Sequence, residues 1–335
     1  MFPIARPSSP ATEVSLPSLS DIEAAACVVN QTVPPTAQYR WGQLEQLLGV
    51  ETWLKHENHG PVGAFKLRGG LTYFDALARQ GRLPPAVVCA TRGNHGQSVA
   101  WAARAHGVPC HIVVPRDNSR EKNAAMRALG AHVIEHGRDF QEAREHAQQL
   151  AQSLPAHTVP SYHVELVTGV STYWLELLRA APQLTHLYVP IGLGSGACAA
   201  IAAKLALQHP ARVIGVTSAR ASTYARSLAA GQVVAAEVST QLADGLAVRE
   251  ADPAALRVLQ AHLHDLVEVD DDAVANAMRA LFQATHNVAE GAGAAALAGA
   301  LQQASSLRHA HAVVGLALTG GNVDADVFAR VLQAA

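Results

Sequence analysis

Several features are scarce in this chain of 335 residues, and each scarcity argues against a class of protein. The four cysteines stand far apart without a CxxC pair, which favours reduced thiols in the cytoplasm over a disulfide framework. No apolar run approaches the length of a membrane span, and the first residues lack the basic and apolar segments of a signal peptide. A formal net charge of −2 gives no reason to expect nucleic acid or an anionic membrane as a partner.

The composition that remains is typical of a large folded protein. Hydrophobic residues make up 49% of the chain and charged residues 16%, and the length is sufficient for two domains. The seventeen histidines show no spacing typical of metal ligands, so we expect no metal site. The Pro- and Ser-rich first twenty residues predict a loose arm, and Ser20 to Glu23 match a capping box that predicts a helix from about Asp21 to Val29.

Short apolar runs rich in β-branched residues alternate with alanine-rich helical patterns along most of the chain. This alternation predicts an α/β fold in which mainly parallel sheets are flanked by helices. Three strand–helix units predict a small domain over residues 85–166, and residues 1–84 with 167–335 then form a large domain. Because the chain ends soon after its last glycine motif, we expect no appended regulatory domain. The expected strands are 86–90, 110–114, 132–134, 187–190, 213–216 and 312–316, and the expected helices are 97–106, 121–129, 139–152 and 197–208.

Lysine is the scarcest basic residue, with four lysines among the 25 basic residues, and Lys66 has the most unusual surroundings. Phe65 precedes it, Ala64 and Leu67 flank the pair, and glycines lie on both sides of this short segment. Burial in such a setting disfavours the ammonium form and lowers the pKa of a lysine. A neutral amine can form a Schiff base with an aldehyde cofactor. An ordinary solvated lysine is the alternative.

The run Gly192-Leu193-Gly194-Ser195-Gly196 follows a predicted strand and opens a predicted helix. Glycines let backbone N–H groups approach an anion, and the helix N-terminus adds partial positive charge, so the run predicts a phosphate site. A dinucleotide site is disfavoured because the spacing is not G-x-G-x-x-G and no acidic residue ends the next strand. A tight turn without a ligand would show the same pattern.

Two further segments follow predicted strands. The loop Thr91 to Gln97 offers a hydroxyl, a side-chain amide and free backbone N–H groups at a helix start, which suits a substrate carboxylate. His95 by itself is as compatible with a structural role as with a chemical one. The run Thr319 to Asn322 leaves space beside its glycines for a flat ring and places a neutral hydroxyl there, although a simple turn would look the same.

In order and spacing these four segments resemble the fold type II pyridoxal-phosphate enzymes, the group of the tryptophan synthase β-subunit. The match is closest to the serine/threonine dehydratase family. That family carries a lysine in S-F-K-x-R-G, then S-x-G-N-H-x-Q, a glycine-rich phosphate loop and a late S-G-G-N. Segments around Gly245 and Glu290 agree as well, and the resemblance covers nearly the whole chain, from about Ile22 to Val331.

The resemblance implies a role for each matching residue, with pyridoxal 5'-phosphate as the cofactor. Lys66 is expected to bind the cofactor covalently and to move the substrate's Cα proton. Thr91 and the backbone of Asn94, His95 and Gly96 are expected to bind the substrate carboxylate, and Arg92 is a further expected substrate contact. The other expected cofactor contacts are Phe65 beside the ring, Asn94 at the ring hydroxyl, Gly192, Leu193, Gly194, Ser195 and Gly196 at the phosphate, Gly245 and Glu290 along the edge, and Thr319 at the ring nitrogen.

The departures from the family pattern bear on the reaction. Where racemase relatives carry a serine as second proton carrier, this chain has Arg92, and a guanidinium cannot act as a base. Racemisation is therefore disfavoured. The stretch 217–223 lacks the carboxylates that hold a divalent ion in some relatives, so we expect no such ion. The G-Q-G-T of many relatives is altered by Val170, which would make the pocket less polar if it faced the substrate.

The resemblance predicts a dehydratase (ammonia-lyase) that converts a β-hydroxy L-amino acid to a 2-oxo acid and ammonia, as a cytoplasmic homodimer. The substrate is expected to be threonine or serine. Val170 and the unusual stretch 160–163 leave open a β-aryl serine such as phenylserine, and Arg92 leaves open 3-hydroxyaspartate. The sequence is also compatible with a β-replacement enzyme of the sulfhydrylase type and with a non-catalytic binding protein.

Overall fold

The fold contains two β-sheets covered by helices. The structure is a computed structural model, which describes residues 1–6 and 15–334. The first sheet has six strands in the order β1-β2-β10-β7-β8-β9, and the second has four in the order β5-β4-β3-β6. β1 runs antiparallel to β2, and the other pairs are parallel. The strands are β1 Gln38–Arg40, β2 Glu51–His56, β3 Val87–Ala90, β4 Cys110–Val114, β5 His132–Glu135, β6 His157–Thr158, β7 His186–Pro190, β8 Arg212–Ser218, β9 Asp265–Val269 and β10 Val313–Leu318.

Helices connect the strands and cover the sheets. They are α1 Leu19–Val29, α2 Gly42–Leu48, α3 Lys66–Arg79, α4 Asn94–Ala105, α5 Arg120–Ala128, α6 Phe140–Ser153, α7 Val164–Ala180, α8 Ser195–Ala206, α9 Thr223–Ala230, α10 Pro253–His262, α11 Asp271–Thr285, α12 Gly291–Gln302, α13 Ala304–His309 and α14 Ala325–Gln333. Among the described residues, no helix combines the length and apolar character needed to cross a membrane.

The predicted α/β class is confirmed, and the predicted strands and helices agree with the structure to within about three residues at their ends. The prediction did not include the strands β1, β2, β6 and β9 or the helices α2, α3, α7 and α9 to α14. All four strands of the second sheet lie between Val87 and Thr158, but the domain boundaries at 84/85 and 166/167 stay a prediction.

The first helix begins earlier than predicted, so the capping box assigned to Ser20 was wrong. Ser18 is the N-cap: its hydroxyl accepts from the Asp21 N–H at 3.2 Å, and the Asp21 carboxylate accepts from the Ser18 N–H at 2.9 Å. The same S-x-x-acid pattern therefore operates two residues upstream. Of the predicted loose arm, residues 7–14 lie outside the described residues. Residues 1–6 are bound instead, since Arg6 donates to two carbonyl oxygens of the segment 260–263.

Two glycines fix the approach of α3 to α7. A Cβ on Gly169 would lie 2.2 Å from the carbonyl oxygen of Arg68, and a Cβ on Gly69 would lie 2.8 Å from that of Leu166. The helix backbones therefore come into direct contact at this crossing, which a side chain would prevent. Because Lys66 is the first residue of α3, this contact sets the position of its side chain.

Candidate active site

One cavity collects the chemically distinctive residues at the carboxyl ends of the parallel strands. The loops after β3, β7 and β10 all reach it, as expected for open α/β sheets. The sequence-predicted residues that line it are Phe65, Lys66, Thr91, Arg92, Asn94, His95, Gly192, Leu193, Gly194, Ser195, Gly196, Gly245, Glu290 and Thr319. Gly96, which was also predicted as a site residue, does not line the cavity.

Lys66 places its amine at the centre of this group. Its Nζ atom donates to Ser195 Oγ at 2.9 Å and lies 5.0 Å from the centre of the Phe65 ring. What remains accessible of the side chain opens into the cavity. Burial lowers the pKa of the Lys66 amine from 10.5 to about 8, so a substantial fraction is neutral in mildly alkaline solution.

The glycine run after β7 forms an anion cradle. Gly194 is the N-cap of α8 in the left-handed conformation, with φ +97°, and the Tyr224 hydroxyl holds the loop by donating to the Leu193 carbonyl oxygen at 3.0 Å. A Cβ on Gly192 would lie 2.3 Å from the Gly245 carbonyl oxygen, so only glycine fits. The first-turn N–H groups of Ser195 and Gly196 have no partner within the helix and can bind an anion.

The loop after β10 is tied directly to the lysine segment. The Phe65 N–H donates to the Thr319 carbonyl oxygen at 3.0 Å, and Ala64 forms an isolated bridge with Gly320. The Thr319 side chain is buried and lines the cavity, where its hydroxyl is an uncharged hydrogen-bonding group. The two segments therefore keep a fixed relative position on either side of the same space.

Asn94 is held by both of its side-chain polar atoms. Its amide Nδ2 donates to Glu290 Oε1, and its Oδ1 accepts from Asn322 Nδ2 at 2.8 Å. Asn322 also donates to the Val62 carbonyl oxygen, which connects the loop after β3 to the segment that precedes Lys66. Glu290 and Asn322 thus orient the amide before any ligand arrives, and the sequence interpretation gave no role to Asn322.

Lys122 was missed by the sequence interpretation, although it lines the cavity. Its Nζ lies 2.6 Å from Asp244 Oδ2 and 2.9 Å from Glu290 Oε2, and all three side chains are largely buried. Burial alone would lower the pKa of Lys122, but the two carboxylates together raise it above its usual value. Burial raises the pKa of Glu290, against the effect of Lys122. Two signals pointed to this lysine: the scarcity of lysine and its place in the first helix after β4.

Some hydrogen-bonding groups of the loop after β3 are already bonded to each other. The Thr91 Oγ1 atom accepts from the N–H groups of Gly93 at 2.9 Å and Gly96 at 3.2 Å. The Gly96 N–H is therefore committed, and a Cβ there would lie 2.4 Å from Met126 Sδ. What remains for a ligand is the Thr91 O–H and the first-turn N–H groups of Asn94 and His95.

His95 faces the cavity as a neutral imidazole. Its side chain is buried and its Nε2 atom has no hydrogen-bond partner among the described residues. Burial, followed by the neighbouring charge of Lys66, lowers the pKa of His95 to about 3. The ring therefore stays uncharged across the pH range in which Lys66 titrates.

Val170 and the stretch 160–163 are the sequence features that suggested a larger pocket. Val170 lies on α7 and is 1% exposed, in the hydrophobic core between the helices and the six-stranded sheet, and it does not line the cavity. From the stretch, Ser161 reaches the cavity, whereas Tyr162 and His163 line a separate one. The structure thus removes the basis on which Val170 suggested a β-aryl substrate.

The depressed pKa of Lys66 predicts a pH dependence of stability in the cofactor-free protein. Between pH 8 and 10.5 the unfolded chain retains the lysine proton and the folded chain does not, so this residue's contribution to stability rises with pH. The free energy of unfolding of the wild type, minus that of Lys66→Met, is expected to increase over this window. Chemical denaturation at several pH values measures it, and a difference independent of pH would contradict the buried amine.

Known proteins of similar sequence and structure agree with this geometry. The family described as "Pyridoxal-phosphate dependent enzyme" matches residues 29–320. An L-threonine ammonia-lyase of Geobacter sulfurreducens is 35% identical over 85% of this chain and 71% of its own length. An L-threo-3-hydroxyaspartate ammonia-lyase of Saccharomyces cerevisiae is 28% identical over 95% of this chain and 97% of its own. The crystal structure of a T.th. threonine deaminase has 30% identity and a TM-score of 0.84, covering 92% of this chain and 99% of the deaminase.

The chain belongs to the pyridoxal-phosphate dependent enzymes, with the fold type II architecture that the sequence predicted. Its cavity fits the cofactor. Lys66 supplies an amine, the run from Gly192 to Gly196 supplies a cradle that a Cβ would fill, and Thr319 supplies a neutral partner for a ring nitrogen. The predicted family, fold class and cofactor are therefore confirmed.

Proposed function

We propose that this enzyme is a dehydratase (ammonia-lyase) that converts a β-hydroxy L-amino acid to a 2-oxo acid and ammonia. The observation that carries the proposal is the position of Lys66. Its weakly basic amine lies beside the phosphate cradle, in the same cavity as the uncharged Thr319. Relatives named L-threonine ammonia-lyase and L-threo-3-hydroxyaspartate ammonia-lyase support the same reaction.

The residues divide the work of this reaction. When bound, the cofactor supplies an aldehyde that takes up the substrate amine and a ring that withdraws electrons from Cα. The Thr91 O–H and the N–H groups of Asn94 and His95 hold the substrate carboxylate. Lys66 Nζ, with a pKa about 8, removes the Cα proton as a general base. The β-hydroxyl leaves Cβ as the Cα–Cβ double bond forms, so that the substrate loses its Cα proton and hydroxide, together one water. Hydrolysis of the unsaturated product then consumes a water and releases ammonia and the 2-oxo acid.

Thr319 favours elimination because it carries no charge. A neutral hydroxyl would not favour protonation of the ring nitrogen of a bound cofactor, so the ring would withdraw fewer electrons from Cα and elimination would be favoured over transamination. A Thr319→Asp variant is expected to eliminate at least about tenfold more slowly and to form more transamination product, while Thr319→Ser retains the wild-type partition. Quantifying pyridoxamine phosphate against 2-oxo acid tests this. An unchanged partition in the aspartate variant would refute the role.

The reaction itself is tested by incubating the cofactor-loaded protein with L-threonine, L-serine, L-threo-3-phenylserine and L-threo-3-hydroxyaspartate. We expect ammonia and 2-oxo acid in equal amounts from at least one of them. If none reacts while the cofactor stays bound, the proposal fails. β-Replacement would then be tested by adding sulfide or a thiol with an O-acetylated serine.

We also propose a homodimer in the cytoplasm. Tyr39 and Leu47 are large apolar side chains, 52% and 45% exposed on the consecutive elements β1 and α2, where a partner subunit would cover them. The cysteines are free thiols, as in a reducing compartment. Light scattering during size exclusion measures the assembly, and a monomer at micromolar concentration would refute the dimer.

A further inference from the structure

The cavity contains one arginine whose charge has no partner among the described residues, Arg92. We propose that Arg92 binds a carboxylate on the substrate's Cβ, so that the preferred substrate is a β-hydroxy dicarboxylic amino acid of the 3-hydroxyaspartate type. This inference rests on the proposed function and deepens it. It concerns which β-hydroxy amino acid is selected and not whether elimination occurs.

The position of Arg92 suits recognition of a substrate side chain. It follows Thr91 directly, and Thr91 with the first turn of α4 provides the donors for the α-carboxylate. Arg92 and Phe140 line both the reaction cavity and the larger cleft that adjoins it. Neighbouring residues thus offer two anion-binding groups, as a substrate with carboxylates on neighbouring carbons requires.

The lack of a partner distinguishes Arg92 from the other arginines that line the adjoining cleft. Arg120 faces Asp326 at 3.8 Å, Arg138 faces Glu142 at 2.6 Å and Arg249 faces Asp139 at 2.8 Å. Arg92 forms no ion pair with any carboxylate of the described residues, and its Nε–H is buried without an acceptor. A buried donor without a partner costs free energy, which a bound anion would recover.

The cavity itself offers no carboxylate to Arg92. Its two acidic side chains, Asp244 and Glu290, both lie within 3 Å of Lys122. Glu290 additionally accepts from Asn94, so its oxygens are already engaged. The guanidinium fork therefore stays available to a ligand, and it matches a carboxylate with two parallel hydrogen bonds.

Uncharged substrates would leave this group unsatisfied. The methyl group of threonine and the hydrogen of serine provide no acceptor for Arg92. Apolar side chains such as Phe140 and Leu246 line the cavity, but a β-aryl group carries no anion for Arg92. Among threonine, serine, phenylserine and 3-hydroxyaspartate, only the last supplies the missing anion.

Binding is tested on the cofactor-loaded enzyme with L-aspartate and L-asparagine, which differ in side-chain charge and lack the β-hydroxyl leaving group. Calorimetry is expected to give wild-type enzyme a Kd for L-aspartate roughly tenfold to hundredfold below that for L-asparagine. Arg92→Gln should abolish this preference, and Arg92→Lys should retain part of it, since an ammonium keeps the charge without the fork. Arg138→Gln, at a paired arginine of the same cleft, should leave it unchanged.

Steady-state kinetics distinguish an error in the role of Arg92 from an error in the proposed dehydratase reaction. Wild-type enzyme is expected to have a kcat/KM at least about tenfold higher for L-threo-3-hydroxyaspartate than for L-threonine, and Arg92→Gln should lose that ratio while still releasing ammonia from L-threonine. Equal wild-type values for the two substrates would overturn the inference and leave the dehydratase intact. An equal loss on both substrates in Arg92→Gln would place Arg92 at the α-carboxylate and also overturn it. No release from any substrate would refute the dehydratase itself.

Discussion

Replacing Lys66 with alanine is expected to lower the rate of elimination by about 10⁴-fold or more and to remove the covalent attachment of the cofactor. Lys66 is the one amine among the described residues that is both close to the phosphate cradle, at 2.9 Å from Ser195 Oγ, and lowered in pKa to about 8. Lys122 lines the same cavity, but two carboxylates raise its pKa, so it remains an ammonium and cannot substitute as a base.

The measurement combines kinetics with mass spectrometry after borohydride reduction. In the wild type, the reduced cofactor should add its mass to the peptide that contains Lys66. Lys66→Ala should show no such peptide and no turnover, whereas Lys204→Ala, at the last turn of α8, should match the wild type. An active Lys66→Ala protein that still carries the cofactor covalently would refute the assignment of this lysine.

Replacing Arg68 with methionine is expected to destabilise the folded protein by about 3–5 kcal/mol. Arg68 lies one helical half-turn beyond Lys66, and its side chain is 1% exposed. Its guanidinium donates to Glu57 at 2.7 and 2.9 Å and to Glu176 at 2.6 Å. Without it, Glu57, which is equally buried, loses the cation that compensates its charge. Glu176 retains Lys55 at 2.5 Å.

An exposed arginine provides the matched control. Arg138 also lies 2.6 Å from a glutamate, but it is 87% exposed, so Arg138→Met should cost less than about 1 kcal/mol. Denaturant midpoints followed by tryptophan fluorescence compare the two. Adding Glu57→Gln to Arg68→Met should restore part of the stability, because it removes the uncompensated carboxylate. Equal midpoints for Arg68→Met and Arg138→Met would show that the buried network contributes nothing.

The position of Arg68 also links stability to the site. The network ties the start of α3 to β2 through Lys55 and to α7 through Glu176 and Thr172. Together with the close approach of α3 and α7 at their glycines, it fixes the first turn of α3, where Lys66 begins. The sequence motif that carries the reactive lysine therefore also carries the residues that hold it in place.

Much of the site could be predicted because its chemically distinctive residues lie in short contiguous segments of the sequence. A glycine run between a strand and a helix favours an anion cradle, and the structure gives Gly192 to Gly196 that geometry. A scarce lysine among small apolar residues is a candidate to bind an aldehyde cofactor, and Lys66 is such a lysine. In contrast, Lys122 and Asn322 bind residues from distant parts of the chain, and no local sequence pattern predicts such contacts.

The sequence by itself determined the alternation of strands and helices, the family and the order of the chemical segments, because periodicity, glycine and the rarity of lysine are local properties. Only the tertiary structure decided what depends on distance and burial. It lowered the pKa of Lys66 by enclosing it, committed the Gly96 N–H to Thr91, and placed Val170 in the core. It also left Arg92 in the cavity without a partner among the described residues. The sequence could not show this, because an unpaired charge is recognised only when the positions of the neighbouring groups are known.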